Sequence, residues 1–218
     1  WGEKLGDRFQ LIKDGRGNLG ASGNFNALLA KSTSPYFLPC DQDDVWLPDK
    51  VERLKAAIAA EEALAGADCP IVAHTDLIVV DEDLNTIAES FWGYQRLRMA
   101  PDKNPWKLLT LQNNVTGCAM IGNRALLFGA GPVPDTAIMH DWWLALYAAL
   151  RGRVIEISQP SIRYRQHSQN TLGAQKWSAF AVVKLVLAQP FKALREPRRV
   201  MAATQLQARS MLEAHGES

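Results

Sequence analysis

Residues 35–54, PYFLPCDQDDVWLPDKVERL, carry more structural information than any other stretch of the chain. Tyr36 to Cys40 form a continuous apolar run after a proline, which is typical of a buried strand. Pro48 stands where the first turn of a helix would begin, and apolar residues then recur at helical spacing to about Leu64. The stretch therefore predicts a buried strand, an acidic loop and a helix, in that order.

Short strands and helices are predicted to alternate on both sides of this stretch. The apolar patterns predict strands at residues 8–13, 71–80, 118–121, 154–157 and 162–164, and helices at 22–31, 141–150, 177–187 and 198–212. Ser22 or Asn24 is expected to cap the first of these helices, and Pro190 and Pro197 to separate the last two. Residues 81–104 show no clear period and are predicted to form a long loop. This alternation favours an α/β fold with a mainly parallel sheet.

The composition excludes several classes of protein. With 218 residues and a net charge of +1, the chain lacks the basic excess of a dedicated nucleic-acid binder, so no nucleic-acid partner is predicted. No apolar run approaches the roughly 18 residues of a membrane span. The widely spaced Cys40, Cys69 and Cys118 are expected to be reduced thiols of a cytoplasmic protein. Because the chain begins at Trp1, it is interpreted as a fragment whose N-terminus lies upstream.

Charge is distributed unevenly along the chain. Residues 41–89 contain 13 acidic and 3 basic residues, whereas residues 184–209 contain 6 basic and 1 acidic. The acidic part is expected to gather carboxylates around a cation, and the basic tail to face an anionic partner. The tail also carries an apolar stripe of Trp177, Phe180, Val183, Leu187 and Phe191. Peripheral contact with an anionic membrane and simple packing on the domain are both compatible with this pattern.

Three carboxylates, Asp41, Asp43 and Asp44, follow the predicted strand directly. Open α/β sheets bind their ligands at this carboxyl edge. Like charges so close together repel one another unless a cation joins them, and hard oxygen ligands combined with phosphate suit Mg²⁺ or Mn²⁺. The sequence therefore predicts a Mn²⁺ or Mg²⁺ site. The alternative is a solvated acidic turn, with Asp49 capping the next helix.

Four segments, taken in order, carry a family resemblance. They are GNLGASGNFNALLAKSTSPYFLPCDQDDVWLPDKVERL (17–54), NNVTGCAMIGNRALL (113–127), MHDWWLALYAALRG (139–152) and IRYRQHSQNTLGA (162–174). Together they resemble the rhamnosyltransferase-like bacterial branch of the family 2 glycosyltransferases. The resemblance implies the GT-A fold, a Rossmann-like sheet of the nucleotide-diphospho-sugar transferases with flanking helices. It also implies a partial GT-A domain at residues 1–174, whose N-terminal strands are missing, followed by a helical segment at 175–218.

The same resemblance implies an activity. An enzyme of this branch moves a hexosyl group from a nucleotide-diphosphate donor to a glycan or lipid-linked acceptor, with inversion and with a divalent cation, in cell-surface polysaccharide synthesis. Its implied location is the cytoplasm, with or without peripheral contact at the inner face of the membrane. Rhamnose as the sugar is implied only by analogy with the branch. Because part of the base-binding pocket would be missing, weak binding of a nucleoside diphosphate by these 218 residues is expected.

The resemblance also assigns the donor side of the site. Asp41 and Asp43 match the DxD pair, which implies that Asp43 binds the cation and that Asp41 binds the cation, the donor ribose or a water, with Asp44 in support. The other donor-side residues are Asn18, Asn24, Arg163, Arg165 and, as a phosphate or metal ligand, His167. Arginine offers paired donors to phosphate. The alternatives are a basic loop paired with surface carboxylates and, for Asn18, a residue that holds a turn.

Asp141, in the segment HDWW, matches the catalytic base of the family. An inverting transfer needs one carboxylate to take the proton of the attacking hydroxyl. The alternative is a helix cap, which also favours aspartate, and His140 either orients Asp141 or fills space beside it. The implied acceptor side consists of Trp142, Trp143, Thr116, Gly117 and Asp76. One of the two tryptophans is expected to pack in the core, and a solvated strand end is the alternative for Asp76.

Two other functional classes fit parts of the sequence. An apolar strand followed by DxDx[TV], as at Asp41, also occurs in haloacid-dehalogenase-like phosphatases, but no acidic pair follows a later predicted strand. A sugar-nucleotide-fold binding module without catalysis is the other alternative. The intact carboxylates at Asp41, Asp43 and Asp141 argue against it.

Overall fold

The computed structural model describes residues 2–13, 15–99, 103–166 and 190–216. The helices are α1 Gly2–Leu5, α2 Gly20–Leu29, α3 Lys50–Ala65, α4 Phe91–Gln95, α5 Trp106–Leu109, α6 Arg124–Ala130, α7 His140–Arg151 and α8 Pro190–His215. The strands are β1 Tyr36–Phe37, β2 Val45–Trp46, β3 Ile71–Thr75, β4 Ile78–Val80, β5 Thr86–Ala88, β6 Met120–Asn123, β7 Arg153–Ile157 and β8 Ile162–Arg165. Two 3₁₀ turns, Gly6–Arg8 and Gly117–Ala119, complete the elements of these ranges.

Within the described ranges the strands form two four-stranded sheets. The first has the order β1-β6-β3-β7 and the second the order β2-β8-β4-β5. In each sheet one pair is parallel, β3 with β7 and β4 with β8, and the other pairs are antiparallel. The predicted α/β fold is confirmed, but the expectation of a mainly parallel sheet is wrong. Strand β6 is reached through two short helices rather than a crossover helix, so nothing forces it to run parallel to β1 and β3.

Helix α3 covers the first sheet with one apolar stripe. Leu54 and Ile58, one turn apart, are fully buried against apolar residues of β3 and β6. Burying each such side chain contributes about 1.5–3 kcal/mol. The stripe therefore fixes the helix, and the acidic loop that precedes it, in one position relative to the sheet. The helix predicted to run to Leu64 ends at Ala65, so this prediction is confirmed.

Helix α7 is the most enclosed helix of the described chain. All of its residues from His140 to Ala148 are buried, so it has no polar face over that length. It packs against α5 and α6, and Met211 of α8 belongs to the same apolar cluster. A helix enclosed in this way holds its first two residues, His140 and Asp141, in a fixed position.

Two predictions near the N-terminus are wrong. Residues 8–13 form no strand: a 3₁₀ turn covers Gly6–Arg8, and residues 9–13 pair with no strand among the described residues. A strand needs a partner for its backbone groups, and an apolar sequence alone does not supply one. Helix α2 begins at Gly20, before the expected caps Ser22 and Asn24, and Oδ1 of Asn18 accepts the Gly20 N–H at 2.9 Å.

The predicted long loop at residues 81–104 contains regular structure that is too short to leave a periodic signal. Strand β5 pairs with β4 in a hairpin. Helix α4 follows, capped by Ser90, whose side chain accepts the Gly93 N–H at 2.9 Å. The prediction of little regular structure is therefore only partly correct.

Helix α8 is continuous from Pro190 to His215, so the break predicted at Pro197 is wrong. A proline removes one hydrogen bond and bends a helix without having to end it. The helix predicted at 177–187, the domain boundary at 174 and the side chains of the apolar stripe lie outside the described residues. No helix in the part of the chain that the structure describes is long and apolar enough to cross a membrane.

Candidate active site

The acidic loop, residues 38–44, connects β1 of the first sheet to β2 of the second. Strand β2 is held in place by β8, with Val45 opposite Arg163 and Trp46 opposite Ile162. The loop is therefore fixed at both ends, once in each sheet. The strand predicted to reach Cys40 ends at Phe37, so the three aspartates lie beyond its carboxyl end but do not follow it directly.

Arg165, the last residue of β8, fastens the acidic loop. Its backbone N–H donates to Oδ1 of Asp44 at 3.0 Å, and its Nε donates to the carbonyl oxygen of Asp43 at 2.8 Å. Its guanidinium also donates to the carbonyl oxygen of Glu82. These contacts give Arg165 a role in the structure of the loop, and its contact with donor phosphates stays a prediction.

Two of the three aspartates converge with a thiol. Ligand atoms of Asp41, Asp44 and Cys118 lie within 4.8 Å of one another, the one such group of three found among the described residues. Cys118 is 2% exposed and comes from the 3₁₀ turn at Gly117–Ala119, far along the chain from the loop. The Asp43 carboxylate is not in this group, and His167 lies outside the described residues, so their roles as cation ligands stay predictions.

The carboxylates of this group are hard to ionise in the folded protein. The pKa of Asp44 is raised to about 6, chiefly by burial, although the Arg165 N–H and the Cys118 thiol oppose the shift. Burial also raises the pKa of Asp41, and the neighbouring Asp43 charge adds to the effect. A divalent cation beside these groups would favour their ionised forms.

Lys50 brings one positive charge into the acidic group. The side chain is fully buried, its Nζ donates to the carbonyl oxygen of Cys118, and it lies 4.0 Å from the ring centroid of Trp46. Burial lowers the pKa of Lys50 to about 8, although the nearby thiols and carboxylates oppose the shift. One ammonium cannot balance three ionised carboxylates, so the loop stays acidic with Lys50 in place.

Asp141 stands at the first turn of α7 and accepts three N–H groups. Asn113 Nδ2 donates to Oδ1 at 3.1 Å, the Trp142 N–H donates to Oδ1 at 2.6 Å, and the Gly117 N–H donates to Oδ2 at 2.8 Å. Burial raises the pKa of the carboxyl group, while His140 and the three N–H groups oppose the shift. Two of the three donors come from outside α7, which is more than a helix cap requires.

Gly117 is needed for the close approach of the backbone to Asp141. A Cβ atom at this position would lie 2.9 Å from Nε2 of His140 and 3.2 Å from Oδ2 of Asp141. Those distances are shorter than ordinary van der Waals contact. The absence of a side chain at Gly117 therefore lets its own N–H reach the carboxylate, and its predicted place on the acceptor side stays a prediction.

His140 packs beside Asp141 without hydrogen bonding to it. Its ring stacks on Phe25 with centroids 4.3 Å apart, and neither ring nitrogen has a partner among the residues that the structure describes. Burial lowers the pKa of His140, although the neighbouring Asp141 and Asp41 charges oppose the shift. Of the two roles expected for this residue, the structure favours packing.

The acidic loop and the start of α7 belong to one polar site. The charge of Asp141 raises the pKa of Asp41, and His140 lowers it. The geometry agrees, because the Gly117 N–H donates to Asp141 while the next residue, Cys118, belongs to one group of ligand atoms with Asp41 and Asp44. The structure thus brings the candidate cation ligands and the candidate base together from segments 100 residues apart in the sequence.

The predicted acceptor residues are mostly buried in other contacts. Both tryptophans pack in the core, where the indole N–H of Trp142 donates to the Leu109 carbonyl and that of Trp143 to the Ala130 carbonyl. Asp76 is 3% exposed and accepts hydrogen bonds from the Leu77 and Trp92 N–H groups and the Ser90 hydroxyl. Asp76 therefore holds the start of α4, and the solvated strand end is wrong. Thr116 is half-buried next to Gly117.

Three further residues, Asn18, Asn24 and Arg163, were predicted on the donor side. Asn18 is exposed and holds the turn before α2 through its bond to the Gly20 N–H, and Asn24 is an exposed residue of α2. Arg163 is half-buried on β8, between β2 and β4. The donor-binding roles of Asn18, Asn24 and Arg163 stay predictions.

Sequence reasoning missed three residues of this site, namely Lys50, Asn113 and the thiol of Cys118. Asn113 and Cys118 lie in the same segment, 113–127, as the predicted Thr116 and Gly117, which was the available signal. Lys50 follows the acidic loop directly, but a lysine at the start of a helix is normally exposed. Only the packed structure shows that its ammonium is buried.

The comparison with known families agrees with this geometry. No curated protein matches the sequence. The family described as Glycosyl transferase family 2 matches residues 3–127, which include the acidic loop, Lys50 and Cys118 and end before Asp141. The mixed α/β architecture with flanking helices and a C-terminal helix is consistent with the GT-A fold. Since the match covers more than half of the 218 residues, the chain belongs to glycosyl transferase family 2.

Proposed function

We propose that the protein is an inverting, metal-dependent glycosyltransferase that moves a sugar from a nucleotide-diphosphate donor to a glycan or lipid-linked acceptor. Family membership indicates glycosyltransferase activity in general. The observation that carries the finer proposal is the meeting of the acidic loop with Asp141 in one site, since the Gly117 N–H donates to Asp141 and the next residue, Cys118, lies with Asp41 and Asp44 in one group of ligand atoms. Such a site offers cation ligands and a single base, which is what an inverting transfer requires.

The residues of the acidic loop fit a divalent cation. Oδ2 of Asp44 is buried, and no described donor makes a well-formed hydrogen bond to it. Asp41 and Asp44 would hold Mn²⁺ or Mg²⁺ through carboxylate oxygens, which these hard cations prefer. Asp43, from the same loop, is the third proposed ligand. When bound, the cation supplies the positive charge that stabilises a departing nucleoside diphosphate.

Asp141 acts as the general base in this proposal. The acceptor hydroxyl gives its proton to the carboxylate as its oxygen forms a bond to the anomeric carbon, and the bond from that carbon to the donor phosphate breaks. No second protein nucleophile is needed, because one displacement inverts the carbon. The three N–H donors fix the carboxylate in place, and burial makes it a stronger base by raising its pKa.

The neighbouring residues have proposed roles in binding. Thr116 and Gly117 lie next to the base and are proposed to border the acceptor. Asn18, Asn24, Arg163 and His167 are proposed to contact the donor. A role in bacterial cell-surface polysaccharide synthesis, a rhamnosyl donor and a cytoplasmic location, with or without membrane contact, are part of the proposal and rest on the resemblance alone.

Neither alternative class gains support. A haloacid-dehalogenase-like phosphatase disagrees with membership of a glycosyltransferase family. A binding module without catalysis would have no use for a buried base held by three donors. These two observations favour an active transferase.

The test is a panel of nucleotide sugars incubated with the full chain, Mn²⁺ and mixed glycan or lipid-linked acceptors. The expected result is release of a nucleoside diphosphate from at least one donor, lost in EDTA and in Asp44→Asn. Asp68→Asn removes the same charge from an exposed position outside the site, so it serves as the matched control and should release nucleotide at the wild-type rate. Nucleotide-sugar binding without release from any donor would favour the binding module.

A further inference from the structure

Cys118 places a sulfur atom among the proposed cation ligands. Its Sγ and carboxylate oxygens of Asp41 and Asp44 lie within 4.8 Å of one another. The residue is 2% exposed, and its carbonyl oxygen is held by Nζ of Lys50. The thiol is therefore fixed beside the carboxylates by the fold rather than placed there by a mobile side chain.

Two buried polar groups beside this cluster lack well-formed hydrogen bonds. Oδ2 of Asp44 has none, and neither has either ring nitrogen of His140, which is 2% exposed, among the residues that the structure describes. Nε2 of His140 lies 2.9 Å from the position that a Cβ atom of Gly117, the neighbour of Cys118, would occupy. Buried polar groups normally have partners, and a bound ion is one accepted reason when no protein group supplies one. The unpartnered atoms of Asp44 and His140 therefore indicate that the cluster binds an ion.

The donor set has a definite chemical preference. Carboxylates suit hard cations such as Mg²⁺, whereas a thiolate suits softer cations such as Zn²⁺, Co²⁺ and Cd²⁺. A site of two carboxylates and one thiolate should therefore bind the softer cations more tightly than two carboxylates alone would. Of the two cations proposed for the site, Mn²⁺ is softer than Mg²⁺, so a thiolate ligand should favour Mn²⁺ over Mg²⁺.

We infer that the Cys118 sulfur is a ligand of the cation held by Asp41 and Asp44, and that it makes the site prefer thiophilic divalent cations to Mg²⁺. On binding, the S–H bond is replaced by a sulfur–metal bond, the proton passes to solvent, and neither the sulfur nor the metal changes its oxidation state. The inference rests on the proposed cation site but does not depend on sugar transfer.

The chain contains only three cysteines, which allows a direct test. The double variant Cys40→Ser/Cys69→Ser keeps Cys118 as the sole thiol. This protein is titrated with Co²⁺ alone, bound Co²⁺ is measured by equilibrium dialysis, and the thiolate-to-cobalt charge-transfer absorption is recorded. The expected result is about one bound Co²⁺ per chain with a charge-transfer band, and loss of the band on adding Cys118→Ser. Bound Co²⁺ without the band, or no bound Co²⁺, would overturn the inference.

Single cysteine variants test the preference of the site for thiophilic cations over Mg²⁺. Cys118→Ser should weaken Cd²⁺ binding by roughly tenfold or more, the scale of losing a contributor to a metal site, and should change Mg²⁺ binding much less. Cys69→Ser is the control and should change neither, because Cys69 lies outside the cluster. Equal losses for Cd²⁺ and Mg²⁺ would contradict the preference. A charge-transfer band without sugar transfer would keep this inference and refute the proposed function, and transfer without the band would do the reverse.

Discussion

Replacing Asp141 by asparagine separates a catalytic base from a structural acceptor. Asparagine has almost the same shape, but one of its two terminal atoms donates hydrogen bonds instead of accepting them. Two of the three donors to Asp141 are backbone N–H groups, of Gly117 and Trp142, which cannot turn away. The third, Asn113, is held in its orientation by its Oδ1, which accepts the Val115 N–H at 3.0 Å.

The size of the effect follows from these contacts. If the amide oxygen of the introduced asparagine keeps the two bonds made to Oδ1, its NH₂ group faces the Gly117 N–H, which then has no acceptor. A buried donor left without a partner costs about 1–3 kcal/mol. We therefore expect Asp141→Asn to lower the free energy of unfolding by this amount. Loss of the base should lower turnover by roughly 10²-fold or more.

Two assays on the same protein decide between the roles. Urea unfolding gives the stability, and initial rates of nucleoside diphosphate release give the turnover. Ile58→Val, a fully buried core residue outside the site, is a matched control. It should lose about 0.5–1.5 kcal/mol of stability and keep its turnover. If Asp141→Asn loses stability but turns over at the wild-type rate, Asp141 is only a structural acceptor and the reasoning fails.

Three further predictions concern the surroundings of the carboxylates. Because the pKa of Asp44 is about 6, its proton must leave before a cation binds, so Mn²⁺ affinity by calorimetry should rise more steeply with pH below about 6 than above it, where only the Cys118 proton is still displaced. The Mn²⁺ affinity of Asp44→Asn should show no such change near pH 6. A pH profile identical to that of the wild type would contradict the assignment of Asp44 as a cation ligand. Gly117→Ala should cost about 1–3 kcal/mol in urea unfolding and lower turnover, since its Cβ would lie 2.9 Å from His140 Nε2; a neutral effect would show that the turn can shift. The pKa of Lys50, about 8 when folded, lies below its unfolded value of about 10.4, so the unfolded chain binds more protons between these values. The wild type should therefore gain about 2 kcal/mol relative to Lys50→Met between pH 8 and 10, and parallel stability curves would refute this.

Parts of the molecule could be predicted because their signals are local. The apolar run at Tyr36–Cys40 and the helical stripe of Leu54 and Ile58 predict the strand before the acidic loop and the helix after it, although the short strand β2 between the loop and the helix was not predicted. The resemblance of HDWW to a family motif singled out Asp141, and a helix does begin there. In these cases the residues that make the signal are neighbours in the sequence.

The rest of the site depends on contacts between distant segments. Cys118 and Asp44 lie far apart in the sequence, and no periodicity indicates that the 3₁₀ turn returns to the loop. Trp142 and Trp143 both pack in the core, although only one was expected to, because α7 is buried on all sides and its helical period does not separate a core face from an exposed one. The strand expected at residues 8–13 failed for a related reason, since an apolar segment cannot indicate whether a pairing partner exists.

The central claim is that the acidic loop binds the cation and diphosphate, whereas Asp141 moves the proton. It is tested most directly by measuring binding and turnover on the same three proteins. Calorimetry with UDP, GDP and dTDP in Mn²⁺ gives the affinity, and nucleotide release gives the turnover, for the wild type, Asp44→Asn and Asp141→Asn. The account predicts that Asp44→Asn loses nucleotide affinity by at least about tenfold, a difference of about 1.4 kcal/mol, while Asp141→Asn keeps its affinity and loses turnover. Equal affinity of wild type and Asp44→Asn in Mn²⁺, or full turnover by Asp141→Asn, would contradict it.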